Sequence, residues 1–326
     1  MARREGPVLG VSFGPESALY SFPGGHPMNS GRTRLFGESL SRTVEDRRGE
    51  LSHLITVVRP EEARRDDLRL FHTNQYIESV EEASKRGEGY LDFPDTPAFA
   101  GVFEASLYPV GSSLHGFEAV LEGRFRHFFN PVGGLHHAAR NRSSGFCVFN
   151  DAAIVIAKAL DRTGMKRVLY VDIDAHHGDG VFYGYESDPR VIIADIHEDG
   201  RSLFPGTGEP SETGKDGAEG TKLNLPLLPG SGDAEFIETF DAAFRFMERF
   251  EPEFVFFQCG ADGLSGDPLT HLRYSASAHA YAAKKLHELA HDTCSGRLLA
   301  MGGGGYKAEN VDAAWSAVAK ELASCG

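Results

Sequence analysis

Short apolar segments rich in β-branched and aromatic residues alternate along the chain with longer segments of helical periodicity. The apolar segments predict strands at 7–13, 54–58, 167–172, 190–196, 253–259 and 297–301. The periodic segments predict helices at 33–44, 73–85, 98–123, 146–162, 233–250, 275–291 and 310–323. Near-continuous apolar strands separated by helices are typical of a parallel sheet covered on both faces. The pattern therefore predicts an α/β fold, a three-layer sandwich around a central, mostly parallel sheet.

No internal repeat, low-complexity tract or interdomain linker interrupts this alternation. The segment 206–232 is rich in Gly, Pro and Ser, but it lies inside the pattern, and we interpret it as a surface loop. A chain of 326 residues exceeds the usual domain size, although single α/β domains reach it. We expect one domain over residues 1–326.

Composition and charge narrow the function classes. With 41% hydrophobic and 25% charged residues the chain has an ordinary globular composition, and we find neither a membrane-length apolar run nor a signal peptide. Its four cysteines form no C-x-x-C motif, so we expect a cytoplasmic protein without disulfides or membrane partners. The net charge of −14 argues against nucleic-acid binding.

The most informative segment is VLYVDIDAHHGDG at 168–180, in which an apolar strand runs into alternating acidic and histidine residues. Side chains two apart on a strand share a face, so Asp172, Asp174 and His176 point the same way. Such groups repel or desolvate one another unless a cation lies between them. Oxygen and nitrogen donors suit Zn²⁺ or another first-row divalent ion, and we predict a catalytic metal site here.

Three polar clusters follow predicted strands, at 172–177, 258–262 and 302–306. Ligands of open α/β sheets bind outside the carboxyl ends of the strands, so these clusters should converge. A catalytic zinc ion has three protein ligands, and Asp262, flanked by glycines, is the best candidate to join Asp174 and His176.

The same edge supplies candidates for acid–base chemistry. Adjacent His136 and His137 would overfill the metal site, so a proton-transfer role fits them better. Asp172 and Asp179 are spare carboxylates that could orient these imidazoles. Tyr306 follows four glycines, and its hydroxyl could donate to a developing oxyanion.

Seven motifs in this chain match one family in order and span nearly its whole length. They are HPMxxxR at 26–32, GGLHHA at 133–138, SGFCVFND at 144–151, DIDAHHGDG at 172–180, LFPGTG at 203–208, QCGADGLSGD at 258–267 and GGGGY at 302–306. The chain resembles the zinc-dependent histone deacetylases of the arginase–deacetylase fold, in particular the prokaryotic acetoin-utilization type.

The resemblance implies a role for each catalytic position. Asp174, His176 and Asp262 would bind Zn²⁺, with Fe²⁺ as an alternative. His137 would serve as general base and then general acid, while His136 would act mainly through its charge.

The resemblance also implies supporting roles. Asp172 would orient His136, Asp179 would orient His137, and Tyr306 would polarise the acetyl carbonyl. A substrate tunnel would include Phe146, Phe204, Gly145 and Leu269, with Asp92 at its rim. Arg32 would line an internal acetate channel.

A bound K⁺ or Na⁺ behind the zinc ion is also implied by the resemblance. Its ligands would come from Asp172, Asp174, His176, Asp195 and Ile196. Asp195 departs from the family, which commonly has serine there. The added carboxylate would alter the binding of this cation but not the deacetylation chemistry.

These features predict a metal-dependent amidohydrolase that removes acetyl from N-ε-acetyl-lysine in a protein or peptide. A first alternative is an acetylpolyamine amidohydrolase; apolar Leu269 favours acetyl-lysine, whereas the acidic net charge mildly favours a polyamine. An arginase-type enzyme with two manganese ions would need a carboxylate where Gly178 stands. A catalytically silent acetyl-lysine binder would be expected to lack a ligand or the tyrosine. The sequence indicates no oligomeric state.

Overall fold

Eight parallel strands form the central sheet of the computed structural model, which describes residues 8–46 and 48–324. The strands are β1 (Leu9–Ser12), β2 (Ile55–Val58), β5 (His127–Asn130), β6 (Val168–Asp172), β7 (Val191–Glu198), β8 (Lys222–Leu227), β9 (Val255–Gln258) and β10 (Leu298–Met301). Their order across the sheet is β2-β1-β5-β10-β9-β6-β7-β8. β3 (Tyr90–Asp92) and β4 (Thr96–Pro97) form a separate antiparallel pair.

Helices cover both faces of this sheet. They are α1 (Arg34–Glu45), α2 (Asn74–Arg86), α3 (Val102–Leu121), α4 (Asp151–Arg162), α5 (Asp179–Tyr185), α6 (Asp233–Met247), α7 (Ala276–Cys294) and α8 (Ala308–Ala323). One hydrophobic core joins α2, α3, α4 and α5 to one face, and a second core joins α1, α6, α7 and α8 to the other. The predicted three-layer α/β sandwich is confirmed. None of the described helices is both long and apolar enough to cross a bilayer.

The six predicted strands are present, although Pro7 lies outside the described residues. The seven predicted helices are present with shifted ends. The prediction for 146–162 was wrong at its start, because Asn150 caps the helix by accepting from the amide of Ala153 and α4 begins at Asp151. The interpretation of 206–232 as a loop was also wrong in part, since β8 lies within it.

The strand register brings the polar clusters together. Asp172 pairs with Asp195 on one side and with Gln258 on the other, and Gln258 pairs in turn with Met301. The segments that follow β6, β9 and β10 therefore leave the sheet side by side at its carboxyl edge.

Candidate metal centre and active site

Asp174, His176 and Asp262 converge beyond the ends of β6 and β9. One donor atom from each lies within 4.8 Å of the others, and all three residues are buried. The Nδ1 atom of His176 is 3.1 Å from Asp174 Oδ1 and 2.9 Å from Asp262 Oδ2. The structure thus brings together the three predicted metal ligands.

The charges of this trio fit a cation. Burial, and after it repulsion from the neighbouring Asp174 carboxylate, raise the pKa of Asp262 to about 7. Burial opposes protonation of His176, yet the two carboxylates raise its pKa to about 10. Without an ion, the carboxylates favour the protonated, positively charged form of His176. A divalent ion bound by these donors would provide that positive charge instead.

Backbone and amide donors fix the trio in place. Gln258 Nε2 and the amide of Gly304 donate to Asp174 Oδ2 over 2.9 and 2.8 Å, and the amide of Ala175 donates to Asp262 Oδ1 over 2.9 Å. A Cβ atom at Gly304 would collide with Asp262, so glycine allows this loop to approach the carboxylates closely.

His136 and His137 form a buried pair whose ring nitrogens all have partners. His136 Nδ1 donates to Asp172 Oδ2 over 2.8 Å, and His137 Nδ1 donates to Asp179 Oδ1 over 2.7 Å. The two Nε2 atoms are 3.0 Å apart. Asp172 and Asp179 therefore contact the imidazoles that they were predicted to orient.

The two histidines have opposite pKa shifts. Burial disfavours the charged form of His136, but Asp172 and Asp174 raise its pKa to about 10. Burial and the charge of His136 lower the pKa of His137 to about 4. A charged His136 beside a neutral His137 is the arrangement that leaves His137 able to accept a proton.

Tyr306 lies at the end of the loop that follows β10. Burial raises the pKa of its phenol well above the usual value, which keeps the hydroxyl protonated as a donor. The amide of Tyr306 donates to Asp267 Oδ2 over 2.7 Å, and Asp267 Oδ1 accepts from the amide of Leu269 over 3.0 Å. Asp267 therefore connects two cavity-lining segments, a role that we did not predict although it lies in a quoted motif.

A cavity of about 220 Å³ leads to the metal-ligand trio. Its lining includes Asp174, His176, His136, His137, Tyr306, Gly145, Phe146, Phe204 and Leu269. The ring of Phe146 packs edge-on to Tyr306, with centroids 5.7 Å apart, and that of Phe204 packs edge-on to His137 at 5.1 Å. The two predicted tunnel rings therefore each contact a predicted catalytic side chain.

Phe146 has an unusual backbone conformation, with φ at 67°. A bulky residue rarely adopts positive φ, and such strain persists only where neighbours impose it. Here the Thr96 hydroxyl accepts from the amide of Phe146, and the Tyr20 hydroxyl donates to its carbonyl. These two contacts hold the ring at the cavity wall.

The predicted rim residue Asp92 does not line the cavity, and its contact with the substrate stays a prediction. Asp95, not Asp92, is the acidic residue of the β3–β4 loop that lines the cavity. Asp92 is the last residue of β3, and the loop carries the chain three residues further before it reaches the cavity. The carbonyl of exposed Asp95 accepts from His26 Nε2 over 2.9 Å.

Arg32 is buried behind the glycine loop. Its Nε donates to the carbonyl of Gly305 and its terminal nitrogen to that of Gly303, each over 2.6 Å. The guanidinium also lies 5.6 Å from the centre of the Tyr306 ring. Arg32 therefore supports the segment that carries Tyr306, beside any role in a channel.

Asp195 lies next to Asp172 in the sheet, as the predicted monovalent-cation site requires. Its carboxylate is already engaged: Oδ1 accepts from His197 Nδ1 over 2.7 Å, and Oδ2 accepts from the amide of Gly178 over 2.9 Å. Burial opposes protonation of His197, but Asp195 raises its pKa. The histidine thus supplies a counter-charge for the carboxylate that departs from the family pattern.

Comparison with known proteins agrees with this geometry. The sequence model of the histone deacetylase domain family matches residues 26–322. The chain belongs to the histone deacetylase family. It is 38% identical to the acetoin utilization protein AcuC of Bacillus subtilis (strain 168), over 95% of this chain and 81% of that protein.

Two further relatives extend the comparison. A probable deacetylase of Archaeoglobus fulgidus is 33% identical over 93% of this chain and 83% of its own. The crystal structure of the HDA15 HD domain superposes with a TM-score of 0.86 at 28% identity, covering 97% of this chain and 90% of that one. The family is that of deacetylases, so the chain is identified as a member of a hydrolase family that acts on acetylated substrates.

Proposed function

We propose that this protein hydrolyses the acetyl amide of N-ε-acetyl-lysine in a protein or peptide, releasing acetate and lysine. One observation carries the proposal. Asp174 and His176 of the metal-ligand trio, the histidine pair and Tyr306 line the same cavity, whose wall includes two aromatic rings, and Asp262 contacts His176 directly behind it. An aliphatic lysine stem packs well against ring faces, which would leave its acetyl group at the inner end.

Asp174, His176 and Asp262 would hold one divalent ion, Zn²⁺ or Fe²⁺. When bound, such an ion supplies Lewis acidity and lowers the pKa of a coordinated water. A K⁺ or Na⁺ ion at the proposed second site would share the Asp195 carboxylate with His197.

The chain's own side chains would manage the proton and the developing charge. Neutral His137, oriented by Asp179, would accept the proton of the attacking water and later return one to the leaving amine. Charged His136, paired with Asp172, would stabilise negative charge nearby. The protonated phenol of Tyr306 would donate to the acetyl oxygen as it becomes negative.

An acetate-release assay tests the proposal, using acetyl-lysine peptides beside acetylputrescine and acetylspermidine, with and without chelator. We expect turnover of the peptides that is abolished by chelator and restored by Zn²⁺ or Fe²⁺. Faster turnover of the acetylated polyamines would indicate that the protein is a small-molecule amidohydrolase instead. Absence of acetate release from every substrate by metal-loaded protein would contradict both.

Tyr306→Phe provides the sharper test of mechanism. Loss of one oxyanion donor costs about 10²–10³ in kcat. We expect that loss with unchanged metal content and unchanged thermal stability, because the ring contact with Phe146 does not need the hydroxyl. Near-normal turnover would remove Tyr306 from the mechanism while leaving the metal assignment intact.

Three free, buried cysteines among the described residues (Cys147, Cys259 and Cys294) are typical of a reducing compartment. They support the proposal that the protein acts in the cytoplasm.

A further inference from the structure

Three histidines meet at the edge of the sheet opposite the candidate active site. His127 is the first residue of β5 and so lies at the amino end of that strand. His287 and His291 are four residues apart on α7 and share one face of the helix. One ring nitrogen from each histidine lies within 4.8 Å of the others.

The spacing of these rings matches that of ligands on one ion. The Nε2 atoms of His127 and His291 are 3.3 Å apart. Two nitrogens bound at about 2.0–2.1 Å to one tetrahedral zinc ion are separated by about 3.3–3.4 Å. The ring of His287 lies 4.8 Å from that of His127 and 4.5 Å from that of His291, measured between centroids.

The rings are also short of partners. His287 is 5% exposed, and neither of its ring nitrogens has a hydrogen-bond partner among the described residues. His127 is fully buried, and its Nδ1 atom has no partner in that part of the chain either. Buried polar groups are nearly always satisfied, so a buried imidazole with two free nitrogens requires an explanation. A bound ion would provide one.

Burial, more than the neighbouring charges, keeps the imidazoles neutral, which is the form that binds metals. Burial and the other two rings lower the pKa of His127 to about 3, and burial and His291 lower that of His287 to about 4. Arg126 disfavours added positive charge at all three rings, whereas Asp292 favours it at His291. Arg126 is exposed, so solvent screens its effect on a bound ion.

We propose that His127, His287 and His291 bind a second divalent transition-metal ion, distinct from that of the active site. Three imidazoles suit Zn²⁺, Ni²⁺ or Cu²⁺. His291 is partly exposed, so water could reach the ion as a fourth ligand. The ion would tie the end of α7 to the start of β5, so its role would be structural. This inference does not depend on the proposed function.

Counting zinc ions per chain tests the proposal. The full-length protein is stripped with chelator, reloaded with Zn²⁺ and desalted before elemental analysis. We expect two ions in the natural protein, one in Asp262→Asn, one in His291→Gln and none when both changes are combined. The loss caused by His291→Gln within either background reports on the histidine site alone, so failure of the active-site assignment remains distinguishable.

Thermal unfolding provides the second readout. In the Asp262→Asn background Zn²⁺ should raise Tm, and His291→Gln or His287→Gln should abolish that rise. His53→Gln, which changes an exposed histidine outside the cluster, should preserve it. The Tm of each variant without metal shows whether it is folded. Retention of the second zinc ion by His291→Gln, or absence of zinc from Asp262→Asn, would overturn the proposal and show that the three rings bind no metal.

Discussion

Positive φ at two adjacent residues, Gly145 and Phe146, shapes the wall of the cavity. At Phe146 the strain is imposed by Thr96 and Tyr20, whereas at Gly145 it is accepted because the residue has no side chain. A Cβ atom at Gly145 would lie 2.5 Å from the His137 ring, far inside contact distance. Because Gly145 has no Cβ atom, the ring of His137, the proposed general base, can occupy its position.

Gly145→Ala should displace His137 and lower kcat by about 10²-fold, the scale expected for a catalytic group moved by an ångström. The matched control is Gly123→Ala, where φ is 71° and a Cβ atom would meet open space. Both changes should lower the free energy of unfolding by about 1–2 kcal/mol through backbone strain. Steady-state kinetics and urea unfolding separate the two effects. Equal kcat in the two variants would show that His137 does not need this clearance.

The metal-ligand trio could be predicted at the residue scale because two of its members, Asp174 and His176, follow the same strand and are two residues apart. Asp267 and Asp95 could not be predicted in this way. Asp267 acts by accepting from the backbone amides of Leu269 and Tyr306. Because nearly every residue has a backbone amide, the sequence does not indicate which of them bind a carboxylate. Asp95 reaches the cavity through the path of its loop, whereas the motif pointed to Asp92, three residues earlier.

Elements were predictable where packing and local preference agree. β6 is fully buried and apolar up to Asp172, and this continuous apolar run identifies it. β8 alternates between buried and half-buried positions, includes Pro226 and lies at the sheet edge, where proline is tolerated. Its glycine-rich flanks concealed it. α5 has seven residues with Gly180 and Gly184, so it forms through burial of Val181 and Phe182 rather than helix propensity.

The loop after β10 depends on a neighbouring element, the short 3-10 helix Ser30–Thr33 that carries Arg32. The planar guanidinium spans two carbonyls of this loop at once, which the single ammonium of lysine cannot reproduce in the same geometry. Loss of one such contact leaves a buried carbonyl unsatisfied, at a cost of about 1–3 kcal/mol.

Arg32→Lys should therefore lower the free energy of unfolding by about 1–3 kcal/mol and reduce kcat, because Tyr306 loses its support. Arg34→Lys is the control: Arg34 is exposed, and its ion pair with Glu38 contributes at most about 1 kcal/mol. Urea unfolding and acetate release check both variants. If the two lysine substitutions have the same effect, the loop does not rely on the buried guanidinium.

At the scale of the whole molecule, several histidines are buried in neutral form, and their protonation opposes folding. His72 is 3% exposed, and its Nε2 atom accepts from the amide of Asn150 over 3.0 Å. Burial lowers its pKa to about 4 from the ordinary 6.5. Between these two pH values His72 binds a proton in the unfolded chain but not in the folded chain. The free energy of unfolding therefore falls as the pH falls from about 6.5 to about 4.

The shift at His72 predicts about 2 kcal/mol of stability lost between pH 7 and pH 5, since one pKa unit corresponds to about 1.4 kcal/mol. His72→Gln keeps an acceptor for the Asn150 amide but cannot titrate. Its stability difference between pH 7 and pH 5, measured by urea unfolding, should therefore be smaller by about 2 kcal/mol than that of the natural protein. His53→Gln, at an exposed position, should retain the full difference. An unchanged pH dependence in His72→Gln would mean that this imidazole is not kept neutral by the fold, and acid sensitivity would have to come from other buried groups.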